Sequence, residues 1–90
     1  MLAYIIGSAF GFRDTYFIVN EGHTREVGYN TNLSLNLISF TDEYYPDGTP
    51  SDFRSEVVLY QGDQEVTRAT IRVNHPLVYE GIRFYQHRNR

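Results

Sequence analysis

Between Asn32 and Phe40 the chain alternates strictly, with Leu33, Leu35 and Leu37 on one side and Ser34 and Asn36 on the other. A period of two is that of a strand with one face buried and one face wet. Other segments carry the same signature. Thr15 to Asn20 (TYFIVN) is rich in β-formers and stops at Glu21-Gly22, and Arg25 to Tyr29 reads as a short partner. Phe53 to Tyr60 and Gln64 to Asn74 are two further strands turning at Gly62-Asp63, and Ile82 to Gln86 follows the turn Tyr79-Glu80-Gly81. Between them, Asn74-His75-Pro76 breaks the chain, because proline fixes its own φ and restricts the residue before it. Helical spacing appears only in the first dozen residues, and there is no internal repeat. The fold class is all-β, an antiparallel sandwich or partial barrel with a short apolar N-terminal segment.

Ninety residues support one domain with a thin core, so strand register matters. For the pair 53–60 and 64–74, a three-residue loop of Gln61, Gly62 and Asp63 sets Val57 against Thr67, Ser55 against Ala69 and Phe53 against Ile71. It also puts Glu56 opposite Arg68 on the outer face. A one-residue slip would mix polar and apolar residues on both faces, so burial favours this arrangement, with Phe53, Val57 and Ile71 inside. Residues 46–52 (PDGTPSD), holding two prolines and a glycine, read as a loop in which Asp47-Gly48 turns and Asp52 bonds backbone amides.

Met1 to Phe12 holds no charge and ends at Arg13-Asp14. Leu2, Ile5, Ile6, Ala9 and Phe10 fall on helical spacing. The run is shorter than the roughly 20 apolar residues that cross a bilayer, and it lacks the basic start of a signal peptide. It is either a buried helix or strand, or the end of a membrane helix. Residues 13–90 then form the β-domain.

Composition excludes several chemistries. With no cysteine there are no disulfides, thiolate nucleophiles or Cys-ligated metals. Eleven acids against eight bases give a net charge of −3, which is unsuited to nucleic acid. The charge is uneven: residues 41–65 sum to −6 and residues 66–90 to +4, which neutralises locally if these blocks pair as strands. His23, His75 and His87 are far apart with no metal-ligand spacing, so no metal site is expected. Asp42, Glu43, Asp47 and Asp52 lack the spacing of a calcium loop, and neither a G-x-S-x-G elbow nor a phosphate-cradling glycine pattern is present. The chain is not expected to be an enzyme. Eight tyrosines and six phenylalanines remain. Neighbours such as Tyr44-Tyr45 and Phe84-Tyr85 point to opposite faces, so some rings fill the core and others are free for a ligand or a partner.

Two strings carry a resemblance. Residues 44–59, YYPDGTPSDFRSEVVL, and 70–86, TIRVNHPLVYEGIRFYQ, in this order and separation, resemble the ResB-like (CcsB) family of system II cytochrome c biogenesis. Gly11-Phe12-Arg13 before Asn20-Glu21-Gly22 resembles the exit from a membrane helix in that family, which favours reading Met1 to Phe12 as a helix stub. The resemblance implies a piece of the extracytoplasmic part of a cell-membrane protein, held by flanking helices. With a CcsA-type membrane partner, such proteins present haem to apocytochrome c. It implies a scaffold or docking role, with haem handled by the full complex and no cofactor held in this part. His75, inside the VNHPL string, is the one candidate haem ligand. Tyr45, Pro46, Asp47, Gly48, Thr49, Pro50 and Asp52 form the loop expected to touch a partner. The alternative reading is a carbohydrate- or protein-binding sandwich that uses exposed tyrosines. Uncovered edges in a partial domain also lead to an expectation of homo-oligomers through the early strands or the Met1 to Phe12 segment.

Overall fold

The computed structural model describes residues 1–88. Eight strands are present: β1 Leu2–Ala9, β2 Thr15–Asn20, β3 Thr24–Glu26, β4 Leu33–Tyr44, β5 Pro50–Gln61, β6 Gln64–Arg72, β7 Leu77–Tyr79 and β8 Ile82–Gln86. They form two antiparallel four-stranded sheets, ordered β2-β1-β8-β7 and β3-β4-β5-β6, with no helix among the described residues. This is the all-β sandwich that the alternation predicts, open rather than closed into a barrel.

The apolar N-terminal run is a strand, not a helix or a helix end. β1 lies inside its sheet, paired with β2 from Leu2–Asn20 to Gly7–Thr15 and with β8 from Ile5–Gln86 to Ala9–Ile82. Ala3, Ile5 and Gly7 point inward on the strand period. Tyr4 and Ile6 on the other face are also apolar, and this two-sided character mimics helical spacing. Gly7 is required by packing: a Cβ there would lie 2.6 Å from Cε2 of the buried Phe17.

The alternation of β4 breaks after Leu37, because Phe40 falls on the wrong parity. A bulge resolves this: Leu37 pairs with Val57 and Ser39 with Glu56, so Ile38 is the extra residue and Phe40 returns to the core. The Glu21 carboxylate accepts the Phe40 amide proton at 2.8 Å, and this bond first of all holds its pKa low.

The β5–β6 register differs from the sequence expectation. The turn has two residues, Gly62-Asp63, between the pair Gln61–Gln64, with Gly62 at φ +60°. Glycine at the first central position is what a type II′ hairpin needs. A bulge then skips Val66, so Val57 faces Ala69, Ser55 faces Ile71, Glu56 faces Thr70 and Val58 faces Arg68. The observed ladder is two residues from the expected one. A shift of two preserves the faces, and Phe53, Val57 and Ile71 are indeed buried.

β7 had no strand signature. It pairs with β8 through a turn in which Glu80 and Gly81 both take positive φ, +51° and +80°. The core between the sheets includes Ile5, Phe17, Val19, Leu35, Leu37, Leu59, Ile71 and Phe84. Phe17 and Phe84 meet at 6.3 Å, and Phe40 stacks on Phe53 at 6.2 Å. Phe17, Phe40, Phe53 and Phe84 thus fill the core, while Phe10, Phe12, Tyr16, Tyr44 and Tyr45 stand exposed.

Candidate functional site

β4 and β5 run on past the other strands. β6 pairs with β5 only as far as Arg54–Arg72, whereas the β4–β5 ladder continues to Tyr44–Pro50. The result is a hairpin arm whose loop is shorter than expected, residues 45–49 rather than 46–52. Pro50 opens β5, where its missing N–H costs nothing, and Ser51 and Asp52 are already in the strand.

The loop satisfies its own polar groups. The Thr49 carbonyl accepts the Tyr45 amide at 2.8 Å, and the Tyr45 carbonyl accepts the Gly48 amide at 2.9 Å. Gly48 sits at φ +90°, in the left-handed region that favours glycine. Asp47 accepts both the Thr49 amide (3.0 Å) and the Thr49 hydroxyl (2.7 Å), which hold its carboxyl below the usual range. The Tyr44 hydroxyl donates to Asp42 at 2.7 Å, which raises the phenol pKa. Residues 44–50 at the tip are all exposed, and the large side chains among them are the two rings, Tyr44 at 54% and Tyr45 at 58% exposed.

The arm is braced at its base. Arg72 at the end of β6 donates to Oδ2 of Asp52 from Nη2 at 2.6 Å and from Nε at 3.0 Å. Asp52 also accepts the Phe53 amide at 2.9 Å. Burial pushes the Asp52 carboxyl up, but Arg72's hydrogen bond and charge, the Phe53 amide and the charge of Arg54 together outweigh it and hold the group low. One pair further, Arg54 reaches Glu43 at 3.3 Å. The acidic and basic blocks of the sequence therefore do meet across strands. Such partly exposed pairs contribute little stability, about 0–1 kcal/mol each, and matter here for geometry.

His75 lies next to this brace. Arg72 and His75 exchange backbone hydrogen bonds at 3.1 and 3.0 Å, closing a turn over Val73 and Asn74. The His75 side chain is exposed, on the rim of an open cleft of about 380 Å³ lined by Glu43, Ser51, Asp52, Arg72, Asn74 and His75. This lining is polar throughout and offers no flat apolar wall of the kind a porphyrin needs. The two strings around residues 44–52 and 72–77, distant in sequence, thus converge at one end of one sheet. His23 begins the approach to β3 and His87 follows β8, and no group of three metal-ligating side chains forms among the described residues.

Sequence reasoning did not single out Arg72 or Arg54 and weighed Glu43 only as one of an acidic cluster, although the opposed charge blocks pointed to them. It also missed Ser55 and Gln86, the buried polar pair joining β5 to β8. Each occupies an inward position in an apolar series, Phe53-Ser55-Val57 and Ile82-Phe84-Gln86, which is the signal that marks them.

The structure defines an open antiparallel sandwich with a braced, tyrosine-tipped arm. The chain belongs to the ResB-like family, whose model matches residues 1–90. It is similar to the cytochrome c biogenesis protein CcsB of Synechococcus sp. (strain JA-3-3Ab), 49% identical over 47 residues covering 52% of this chain and 10% of that protein. CcsB of Synechococcus sp. (strain JA-2-3B'a(2-13)) is 45% identical over 96 residues, covering 96% of this chain and 20% of the relative. The cytochrome c biogenesis protein Ccs1 of Phaeodactylum tricornutum is 30% identical over 95 residues, covering 96% and 23%. The chain therefore spans between a tenth and a quarter of the length of these relatives. No solved structure matches it. Among the described residues no helix is long and apolar enough to cross a membrane.

Proposed function

We propose that this chain is a non-catalytic docking module of a membrane-bound cytochrome c maturation factor, lying on the extracytoplasmic side. In this reading the β4–β5 arm positions apocytochrome c or a CcsA-type membrane partner, while haem is carried elsewhere in the full-length complex. The observation that carries the reading is the arm itself. Its polar groups are bonded internally, its base is braced by Asp52 and Arg72, and Tyr44 and Tyr45 are presented to solvent. Exposed tyrosines on a preorganised support give contact area at little entropic cost. Names of relatives such as CcsB and Ccs1, cytochrome c biogenesis proteins, supply the pathway.

Haem is cargo in this scheme, and the polar cleft beside His75 is not a porphyrin site. The test uses the full-length protein with Tyr44→Ala and Tyr45→Ala combined. Holocytochrome c yield should fall while the variant accumulates normally and its bound-haem spectrum is unchanged. Unaltered yield, or saccharide binding through these rings with no effect on yield, would overturn the reading.

A further inference from the structure

The two outer faces of the sandwich differ in chemistry. On the β3-β4-β5-β6 sheet the outward positions of β4, β5 and β6 are mostly polar, with Ser34, Asn36, Thr41, Arg54, Glu56, Arg68, Thr70 and Arg72 and, between them, Val58 and Tyr60, the polar surface expected where an antiparallel sheet meets water. On the β2-β1-β8-β7 sheet the corresponding positions hold Tyr4 and Ile6 from β1, Tyr16 and Ile18 from β2, and Tyr85 from β8.

These side chains are contiguous. Tyr4 is paired with Ile18, and Ile6 with Tyr16 on one side and Tyr85 on the other. The His87 ring adds to the cluster, 6.4 Å from Tyr4 and edge-on to Tyr16 at 6.5 Å. Tyr16 is 66% and Ile18 46% exposed. The outward charge on β1, β2 and β8 is Arg83, which has no ion-pair partner among the described residues. A connected aromatic and aliphatic face of this kind marks a surface built to be covered.

We propose that this face is an internal interface: an apolar segment of the same full-length polypeptide, carrying a carboxylate opposite Arg83, packs across β2, β1 and β8. Two observations select this occupant over a second copy. The matched region makes up only 10–23% of the relatives described above, so most of such a chain lies outside it. The start of β1 and the end of β8 are also neighbours on this sheet, with the His87 amide bonded to the Tyr4 carbonyl at 2.9 Å. Polypeptide joined before Leu2 or after His87 therefore begins beside the face and reaches it at high effective concentration. A second copy must give up translational and rotational freedom to do the same. The same uncovered face would drive an excised piece to self-associate. The proposal concerns folding of the whole chain and stands or falls independently of the docking role of the arm.

The test is made in the full-length protein. A photoreactive phenylalanine analogue replacing Tyr16, a ring-for-ring exchange at an exposed site, should cross-link within one chain, to a peptide outside residues 1–90. A product of doubled mass, a cross-link to another protein, or no cross-link would overturn the proposal. In a background without other cysteines, Ile18→Cys should react with a water-soluble maleimide about tenfold more slowly than Thr70→Cys on the opposite face, as expected where labelling awaits local opening. Equal rates would overturn it as well.

Discussion

The Ser55 hydroxyl donates to the side-chain carbonyl of Gln86 across the interior of the sandwich, tying β5 of one sheet to β8 of the other. Both residues are buried, and the Gln86 amide nitrogen donates onward to the carbonyls of Tyr4 (3.3 Å) and His87 (3.0 Å). Removing one partner leaves the other buried and unpaired, so Ser55→Ala should destabilise by about 1–3 kcal/mol. Adding Gln86→Leu should then cost less than it does alone, with a coupling of about 0.5–3 kcal/mol. Urea unfolding of the four proteins measures this cycle. Additive losses would mean that the bridge contributes nothing of its own.

Gly7 gives a second test of the interior. The 2.6 Å approach of a Cβ to the Phe17 ring is too close to accept, and that ring is buried against Phe84. Gly7→Ala should therefore cost about 1–3 kcal/mol by overpacking. Phe17→Leu, introduced into the Gly7→Ala background, should be less damaging than Phe17→Leu alone. A lowered melting temperature that is not partly recovered would point to the Tyr29 hydroxyl, 3.0 Å from the same Cβ, instead.

Much of the fold was legible because buried strands leave a period of two. Leu33, Leu35 and Leu37, or Phe53, Val57 and Ile71, name their faces directly. What alternation cannot encode is a residue that leaves the ladder. Ile38 and Val66 are such residues, and Val66 together with a turn one residue shorter than expected shifts the β5–β6 register by two while every face stays correct. β1 was misread for a different cause: apolar residues on both faces erase the alternation, and its outer face is apolar here. At the candidate site the loop residues and His75 were visible as a motif. The brace was not, because residues 46–52 read as loop, which left Asp52 outside β5 and without a strand neighbour for Arg72 to reach.

The buried face of β5 and β6 can be tested without reference to register. Val57 and Ile71 are 1% and 0% exposed, so Val57→Asp or Ile71→Asp places a charge among apolar neighbours. That penalty of several kcal/mol is comparable to the about 5–15 kcal/mol by which small domains are stable. Both variants should lose cooperative unfolding and near-ultraviolet ellipticity at 25 °C. Glu56→Asp, on the outer face opposite Thr70, should leave both intact.

His75 separates a scaffold from a haem-binding domain. Its ring is exposed beside a polar cleft, and its backbone is fixed by the Arg72 turn. Titrating haem into the protein should give no saturable Soret band attributable to this residue, and His75→Ala should leave the absorption spectrum unchanged. Stoichiometric binding that disappears in His75→Ala would make the residue a ligand and remove the basis for a purely positioning role.

The Asp52–Arg72 brace makes the arm sensitive to acid. Arg72's hydrogen bond and charge, the Phe53 amide and Arg54 overcome the effect of burial and keep the Asp52 carboxyl below its ordinary 3.8 in the folded chain. A group depressed on folding adds stability that is complete above the unfolded value and is lost as pH falls through the folded one. The brace should accordingly persist at neutral pH and weaken only below about pH 4, the unfolded range of aspartate. Carbon-detected titration of the Asp52 carboxyl would give its midpoint, and amide exchange at Val73 to His75 would report the turn that Arg72 closes. Arg72→Gln should raise the Asp52 midpoint and speed exchange in that turn already at neutral pH, while the core amides of Leu35 and Leu59 stay protected. If the midpoint does not move, Arg72 does not hold Asp52 in solution, and the arm stands without its brace.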